Sequence, residues 1–369
     1  MIRDTPHTVT DETGRRWPAP DGIPFLRAGR AALAAEALAR IDADDVDGAR
    51  AALLADQDDW WRGPAADPAA LRTLVRERAR LSLRDAMALL AWGEVGDYFA
   101  HRWSDPTFVA GLALTEAHWN VPAEAFELAC GIGHHLRALA QRGVRVTGAD
   151  VVWAKLWVAH HWVVPGARLF CFDAAQDWPP VGSGFGLVAC HDAFYFLAPK
   201  SPIVARLRAL LDPATGVLIV GHIHNRDWPN LSAGHALSAG ELADLFPDAT
   251  MYDDAELTRA LHERRAPQAA SPDALGKAEA FSLASGPGLG GARAVTNGLA
   301  LPPPGTALRL NPLYAANRRI AWPSERYARE YGPRATYPLT SDAPAAAVLD
   351  AATEEPARRR ELLDLPAQW

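Results

Sequence analysis

Short apolar runs and amphipathic stretches alternate through the middle of the chain. The apolar runs have the length of strands and lie at residues 124–129, 144–150, 167–172, 184–190 and 216–220. The amphipathic stretches have the spacing of helices and lie at residues 134–141, 199–211 and 237–246. Strands that are apolar on both sides are typical of a parallel sheet covered by helices on both faces. The pattern therefore predicts an α/β fold with a doubly wound sheet.

The two flanks differ from this middle part. Residues 31–119 have an Ala/Leu periodicity that predicts helices, with a break at Gly63-Pro64, whereas residues 1–29 are rich in Pro, Thr and Asp. Beyond residue 286 the chain becomes rich in Gly and Pro, and only residues 354–363 predict a charged helix. We therefore divide the chain into an N-terminal irregular and helical flank (1–94), a central domain (95–287) and an irregular C-terminal extension (288–369).

The most informative segment is the turn after the first apolar run. Gly131 and Gly133 let the backbone bend sharply and approach a ligand that a Cβ would push away. The helix that begins at His134 directs free N–H groups toward the same place. Asp150 ends the second strand, where a carboxylate can accept hydrogen bonds from two ribose hydroxyls. These residues predict a site for a cofactor that contains adenosine.

Two positions distinguish between adenosine cofactors. A dinucleotide site would have a third glycine at position 136, where this chain has Leu136. Glu127 lies four residues before Gly131, and its carboxylate would repel a diphosphate but attract a cation. S-adenosylmethionine carries both a sulfonium and an ammonium group. The residues favour this cofactor, and a dinucleotide-dependent oxidoreductase is the less favoured alternative.

The segment Glu127-Leu-Ala-Cys130-Gly131-Ile-Gly133, followed by Gly148-Ala-Asp150, resembles the first two motifs of class I S-adenosylmethionine-dependent methyltransferases. The resemblance is to the ubiquinone-biosynthesis-like, or type 11, methyltransferase domain, and it covers roughly residues 95–287. It implies a Rossmann-like sheet of seven mostly parallel strands, in which residues 249–253 and 279–284 form an antiparallel edge pair. It also implies S-adenosylmethionine as the cofactor.

The resemblance also implies which residues bind the cofactor. Asp173, directly after the third strand, matches the acidic position that faces the adenine amino group in this family. The expected cofactor-binding residues are Glu127, Cys130, Gly131, Gly133, Asp150, Val151, Asp173, Ala174 and His191. Two alternatives remain open, because Asp150 could cap the following helix and Asp173 could be a solvated loop residue beside Asp177.

The predicted reaction needs few catalytic groups. Methyl transfer is an in-line displacement at a sulfonium carbon, so positioning of the acceptor and one base suffice. We predict His191, Tyr195 and His222 as the candidate bases, because they follow the fourth and fifth strands. Ubiquinone-biosynthesis-like members often have a histidine near position 195, so a module that binds the cofactor without catalysis is an alternative.

Other polar residues near the predicted strand ends suggest a metal site as a further alternative. Asp192 follows the fourth strand, and His224 and Asn225 follow the fifth, so their side chains could meet at one edge of the sheet. The oxygen-rich ligand set that magnesium prefers is not visible at these positions. We therefore expect hydrogen-bonding or proton-transfer roles and no metal.

Composition limits the setting of the reaction. The formal net charge is −7, which disfavours a nucleic-acid substrate. The only cysteines are Cys130, Cys171 and Cys190, all on predicted internal strands, which indicates reduced thiols and a cytoplasmic protein. The first residues have no apolar core and no apolar run approaches the length that spans a bilayer, so we expect neither a signal peptide nor a membrane span. We predict an enzyme that methylates an oxygen or nitrogen of a small molecule, bound beneath helices of both flanks.

Overall fold

The computed structural model describes residues 1–229 and 234–369. In chain order, the strands are β1 (Ile2–Thr5), β2 (Thr8–Thr10), β3 (Arg16–Pro18), β4 (Glu124–Leu128), β5 (Arg145–Asp150), β6 (Arg168–Cys171), β7 (Leu187–His191), β8 (Val217–His224), β9 (Thr250–Asp253), β10 (Ala280–Ser285), β11 (Ala307–Leu310), β12 (Ala346–Val348) and β13 (Leu362–Leu363). The helices are α1 (Ala31–Asp42), α2 (Val46–Leu54), α3 (Pro68–Glu77), α4 (Leu83–Leu89), α5 (Glu94–His101), α6 (Pro106–Ala117), α7 (His134–Ala140), α8 (Trp153–Val158), α9 (Lys200–Ala209), α10 (Ala239–Leu245), α11 (Asp254–Glu263), α12 (Pro272–Leu275), α13 (Glu325–Tyr331) and α14 (Glu354–Arg358).

The centre of the molecule is a seven-stranded sheet in the order β6-β5-β4-β7-β8-β10-β9. The five strands from β6 to β8 pair in parallel, and β10 runs antiparallel to both of its neighbours. The predicted doubly wound, mostly parallel sheet and its late edge pair are therefore confirmed. The direction of chain winding reverses between β4 and β7, and in such sheets ligands bind beyond the carboxyl ends of the strands at this point.

Burial on both faces explains why the central strands read as continuous apolar runs. Every residue of β7 and of β8 is buried. Neighbouring residues of β4 show the alternation, because Ala125 packs into the core on one face and Phe126 into the core on the other. Helices α6, α7, α8 and α11 contribute to the first core, and α9 and α10 to the second. The sheet is thus held rigidly between two helical layers.

Strand β8 is longer than the sequence pattern predicts, and this corrects the position of two histidines. His222 and His224 were expected after the fifth strand, but both lie within β8. The parallel partner β7 stops at His191, opposite Gly221, whereas the antiparallel partner β10 continues the ladder to His224. The register of β10 shifts along β8, and His222 has a φ of 51° at this irregularity.

The N-terminal flank is more regular than predicted. Residues 1–29 were expected to be irregular, but β1, β2 and β3 form an antiparallel sheet there. Beyond this sheet the chain runs beside the edge strand β6, where the Leu26 amide donates to Cys171 O at 2.7 Å and the Cys171 amide donates to Pro24 O at 2.9 Å. The helices predicted for residues 31–119 are confirmed as α1 to α6, of which α1 to α4 belong to the flank. This flank therefore covers one edge of the large sheet.

The C-terminal extension consists mainly of loops around short elements. Strand β11 pairs with β12 and β13 in a separate antiparallel sheet. The charged helix predicted for residues 354–363 is only the one turn of α14, because the following residues enter β13. The extension is fastened to the central domain by Arg137, whose two terminal nitrogens lie 2.5 and 2.8 Å from the Asp364 carboxylate. The boundaries at residues 94 and 287 stay a prediction.

The helices of the described residues are all short. None of these helices combines the length and the apolar character needed to cross a membrane. The longest, α1 and α6, have 12 residues each, whereas a span needs about 20 residues.

Candidate functional site

A cavity of about 800 Å³ lies at the carboxyl ends of β4, β5, β6 and β7. This volume is typical of sites for small molecules and cofactors. One wall consists of the residues that follow these four strands. The other wall consists of residues 57–64 of the N-terminal flank, helix α5 at the start of the central domain and helix α13 of the C-terminal extension. The cavity therefore lies where the winding of the sheet predicts a ligand, and both flanks border it.

The structure brings most of the predicted cofactor residues together on the first wall. They are Glu127, Cys130, Gly131, Asp150, Val151, Asp173, Ala174 and His191. Gly133 is the exception, because it does not line the cavity. It is the N-cap of α7 with a φ of 85°, and a Cβ there would lie 2.8 Å from Val164 Cγ1. Gly133 is thus required for close packing of the turn, which corrects its predicted contact with the cofactor.

Asp150 holds the glycine turn in place. Its Oδ2 accepts a hydrogen bond from the Gly131 amide at 3.0 Å, and its Oδ1 accepts one from the Val152 amide at 2.9 Å. The Lys155 ammonium lies 3.7 Å from Oδ1. The N-cap of α8 is Val152 and not Asp150, so the alternative that Asp150 caps this helix is wrong. A carboxylate has about four acceptor positions, which leaves room for ribose hydroxyls.

Glu127 is a buried acid without a protein partner for one oxygen. Its side chain lines the cavity, the residue is only 2% exposed, and Oε2 has no hydrogen bond. Burial raises the pKa of Glu127 to about 8, and the nearby Asp150 adds to this effect. The free protein therefore holds Glu127 protonated at neutral pH. A cationic ligand in the cavity would favour the ionised form.

Two imidazole rings stack at the centre of the site. The rings of His135 and His191 lie 3.8 Å apart with an angle of 18° between their planes. Glycines make this possible, because a Cβ at Gly111 would lie 2.6 Å from His135 Cε1 and one at Gly221 would lie 2.5 Å from His191 Nδ1. Burial lowers the pKa of His191 to about 3, so the ring is neutral at pH 7. Its Nδ1 has no partner.

Asp192 is the centre of a buried hydrogen-bond network on the cavity wall. It accepts from the Tyr98 hydroxyl at 2.7 Å, from Arg102 Nη1 at 2.9 Å and from the Tyr195 hydroxyl at 2.9 Å. Burial acts to raise the pKa of Asp192, but Arg102 and His222 outweigh it and hold the pKa below its ordinary range. The residue is therefore an anion fixed in one orientation.

Sequence reasoning missed the partners of Asp192. Tyr98 and Arg102 lie on adjoining turns at an (i, i+4) spacing, 94 and 90 positions before Asp192 in the chain, so no local pattern connects them to it. The only signal in the sequence was a tyrosine and an arginine on one face of a predicted helix.

His222 does not line the cavity, although we predicted it as a catalytic base. Its Nδ1 lies 2.5 Å from Asp254 Oδ2, and its Nε2 lies 3.9 Å from Asp192 Oδ1. Burial acts to lower the pKa of His222, but the two carboxylates prevail and raise it. The two carboxylates therefore favour the protonated form of His222, which lies behind Asp192 and cannot receive a proton directly from a ligand in the cavity. The extension of β8 is the reason that it lies there.

Tyr195 lines the cavity, but it is a hydrogen-bond donor rather than a base. Burial and the neighbouring Asp192 raise the pKa of its hydroxyl, which stays protonated and donates to that carboxylate. The ring packs against His224 with 4.5 Å between ring centroids. The side chain is thus suited to position a ligand.

Two groups of side chains come close enough together to be considered as metal sites. They are Glu127, His135 and His191, and Asp192, His222 and His224. In the first group the imidazole planes are nearly parallel and 3.8 Å apart, so an ion cannot lie in both planes at bonding distance. In the second group, Nδ1 of His222 is bonded to Asp254. The absence of a metal stays a prediction.

Aromatic side chains from both flanks form the second wall. Tyr331 of α13 stacks against Tyr98 of α5 at 6.5 Å between ring centroids. Trp60, from the segment between α2 and α3, packs against Phe196 at 5.7 Å. Glu330 also lines this wall, and burial raises its pKa. The wall is therefore mostly aromatic with a few polar groups.

Substitution of Gly131 tests whether the turn contacts a cofactor. Gly131→Ala should abolish or strongly weaken binding of S-adenosylhomocysteine, because the new Cβ would lie at the cavity and 3.3 Å from the Phe99 ring. Gly143→Ala is a matched control, since Gly143 also has a positive φ, of 78°, but has open space around it. Both changes should cost about 1 kcal/mol of stability. Calorimetry should show a binding defect for Gly131→Ala alone, and equal binding by both variants would contradict the assignment.

The glycine turn belongs to a part of the chain that matches a known protein family. Residues 125–214 match the family model described as a methyltransferase domain. No curated protein matches the chain.

Solved structures with similar folds include three methyltransferases. An amino pentose methyltransferase from Micromonospora echinaspora is 29% identical over 34% of this chain and 53% of its own, with a TM-score of 0.28. A TehB-like S-adenosylmethionine-dependent methyltransferase from Corynebacterium glutamicum is 18% identical over 48% of this chain and 86% of its own, with a TM-score of 0.36. A phosphoethanolamine N-methyltransferase from Haemonchus contortus is 18% identical over 50% of this chain and 49% of its own, with a TM-score of 0.37. The chain spans about half the length of the first and third, and these weak likenesses say nothing about the acceptor.

Proposed function

We propose that the protein, in which residues 125–214 match a methyltransferase domain, is a class I S-adenosylmethionine-dependent methyltransferase that transfers a methyl group to an oxygen or nitrogen atom of a small-molecule acceptor. The observation that carries the proposal is the single cavity of about 800 Å³. It joins the predicted cofactor residues on the strand ends with an aromatic wall built by both flanks. Cofactor and acceptor can therefore meet in one enclosed space.

The residues of the first wall suit the cofactor. Asp150 would hold the ribose, Asp173 the adenine and Glu127 the positively charged end of the molecule. The unpartnered Oε2 of Glu127 supports this assignment, because a buried acid with no protein donor is expected to have a ligand partner. When bound, S-adenosylmethionine supplies an electrophilic methyl group attached to a cationic sulfur.

The second wall and the network behind it suit the acceptor. Asp192 accepts hydrogen bonds from the hydroxyls of Tyr98 and Tyr195. These bonds fix both hydroxyl oxygens, which can then form hydrogen bonds with the methyl acceptor. We propose Tyr195 as a positioning residue. We propose His191 as the group that takes up a proton, since its imidazole lines the cavity.

The low pKa of His191 restricts the acceptor chemistry. An imidazole with a pKa of about 3 is a weak base, so it cannot deprotonate an aliphatic alcohol efficiently. It suits an acceptor that attacks as a neutral amine, or one whose hydroxyl is acidic. The aromatic wall favours an acceptor that is partly apolar or contains a ring.

The proposal also covers the cellular compartment and the class of acceptor. Cys130, Cys171 and Cys190 are buried free thiols, which suits a reducing compartment, and we place the protein in the cytoplasm. The formal net charge of −7 favours a small-molecule acceptor over nucleic acid.

The experiment that tests the proposal combines binding with product formation. Calorimetry should show binding of S-adenosylhomocysteine but not of NAD. Incubation of the full chain with methyl-labelled S-adenosylmethionine and a metabolite extract should give a labelled small molecule in the mass spectrum. Cofactor binding without any labelled product would favour the alternative of a binding module without catalysis, and tight NAD binding alone would contradict the proposal.

Substitution in α13 tests the acceptor wall. Tyr331→Leu should raise the acceptor KM roughly tenfold, because an aromatic contact is lost from the cavity, and leave cofactor affinity unchanged. Tyr337→Leu is a matched control, since Tyr337 belongs to the same buried aromatic cluster but does not line the cavity. Both variants should lose similar stability in thermal unfolding. An equal change of KM in both would contradict the role of α13 in acceptor binding.

A further inference from the structure

We propose that a small inorganic anion, of the size of chloride, binds in a second cavity between the C-terminal extension and the central domain. This cavity has a volume of about 40 Å³. Trp103, His134 and Arg137 line it from the central domain. From the extension it is lined by residues 299–302 and by Ala357, Arg360, Leu362, Leu363 and Asp364. The inference does not depend on methyl transfer.

Arg360 is the main observation. The residue is only 6% exposed and lines the cavity, yet only one nitrogen of its guanidinium has a protein partner. Nη1 donates to Ala300 O at 2.8 Å, whereas Nε and Nη2 have no hydrogen bond. Among the ion pairs of the described residues, none includes Arg360. A buried cation without a counter-charge is costly, so an anion is expected beside it.

Trp103 supplies an independent observation at the same cavity. It is 4% exposed, and its indole Nε1 also has no hydrogen-bond partner. An indole N–H is only a donor. Two side chains that line one small cavity thus leave three donor nitrogens without a hydrogen bond.

The nearest acidic side chain cannot satisfy these donors. Asp364 lines the cavity, but its carboxylate is bound by both terminal nitrogens of Arg137 and by Gln141 Nε2 at 2.5 Å. Its charge is already balanced. Arg358, two residues before Arg360, also has two nitrogens without a hydrogen bond, Nε and Nη1, but its charge is balanced by ion pairs with Glu354 and Glu355.

An anion suits this cavity better than water does. The volume exceeds the roughly 10–15 Å³ that one water needs. A water molecule accepts about two hydrogen bonds and must also donate two. An anion accepts from several donors, donates nothing and balances the guanidinium charge. The chemistry therefore favours a halide, which would join the extension to the central domain.

Thermal unfolding of the full chain in halide tests the proposal. Sodium chloride or bromide replaces sodium gluconate at constant ionic strength. The Tm of the wild type should rise by about 2 °C for each tenfold increase of halide above its Kd. Arg360→Met should lose this increase, and Trp103→Phe should reduce it. Arg318→Met is the matched control, since Arg318 also has a positive φ and donates to one backbone carbonyl, Ala343 O, but does not line the cavity.

Two results would overturn the anion site. One is a wild-type Tm that changes with halide no more than that of Arg360→Met, because the effect would then be a general one of salt. The other comes from crystals soaked in bromide, in which an anomalous peak is expected beside Arg360. A cavity that holds only water in such crystals contradicts the proposal, and this measurement remains decisive if Arg360→Met does not fold.

Discussion

Asp192→Asn should lower methyl-transfer turnover at least a hundredfold while S-adenosylhomocysteine affinity stays within about threefold. The amide has no charge to balance Arg102 and the protonated His222, both of which are buried. It also offers one acceptor oxygen where the carboxylate offers two, so Tyr98 and Tyr195 cannot both keep their hydrogen bonds. The acceptor wall should lose its fixed orientation. Breaking a buried pair of this kind should also cost about 3–5 kcal/mol of stability.

Asp105→Asn separates a role in the reaction from one in stability. Asp105 is the second carboxylate near Arg102, at 3.6 Å, and it is buried but does not line the cavity. The variant should lose stability, because buried Arg102 loses one of its two neighbouring carboxylates, but its folded fraction should keep near-normal turnover. Turnover per folded molecule is the measurement, with the folded fraction taken from circular dichroism. Equal loss of turnover in both variants would show that Asp192 acts only through stability.

Glu127→Gln should weaken S-adenosylhomocysteine binding more than tenfold at pH 8, and the variant's affinity should not change between pH 6 and 8. In the wild type, the ligand's ammonium group favours ionised Glu127, whose pKa in the free protein is about 8. Affinity should therefore rise about tenfold per pH unit up to this value, and binding at pH 7 should release a proton. Calorimetry in two buffers with different ionisation enthalpies measures the release. Affinity of the wild type that is constant from pH 6 to 8 would contradict this role.

The same substitution should stabilise the free protein. The pKa of Glu127 is raised from 4.5 to about 8 on folding, so its contribution to stability is full below pH 4.5 and is lost as the pH rises to about 8. Glu127→Gln removes this loss and should raise the free energy of unfolding at pH 8 by on the order of 4 kcal/mol. Glu116→Gln should have the opposite effect, because Glu116 accepts from the amides of Thr296, Gly298 and Leu299. Thermal unfolding without ligand would show both.

The central sheet could be predicted from the sequence because the patterns that indicate its strands and its glycine turn are local. Strands buried on both faces must be apolar along their whole length, as in β7, and the glycine turn needs no distant residue to be recognised. In contrast, β1 is exposed at every position and has no apolar alternation, so nothing distinguished it from a loop.

The parts of the site that were missed depend on contacts between distant segments. The length of β8 is set by its pairing with β10, about 60 residues later, and this pairing moves His222 away from the cavity. The partners of Asp192 belong to a helix and a turn that precede the whole sheet. The stacked imidazoles need glycines at 111 and 221, whose significance appears only when the elements that carry them meet.

The two walls of the cavity also differ in the stage of chain synthesis at which they can form. The cofactor wall lies on strands that follow one another between residues 124 and 191, so it can form as soon as the sheet folds. The aromatic wall needs α13, which the ribosome adds more than 100 residues later. Because domains can fold while the chain is still growing, a nascent chain would have a cofactor site that is open to water before any acceptor could be enclosed. Assembly of the enzyme would therefore end with the part that selects its substrate.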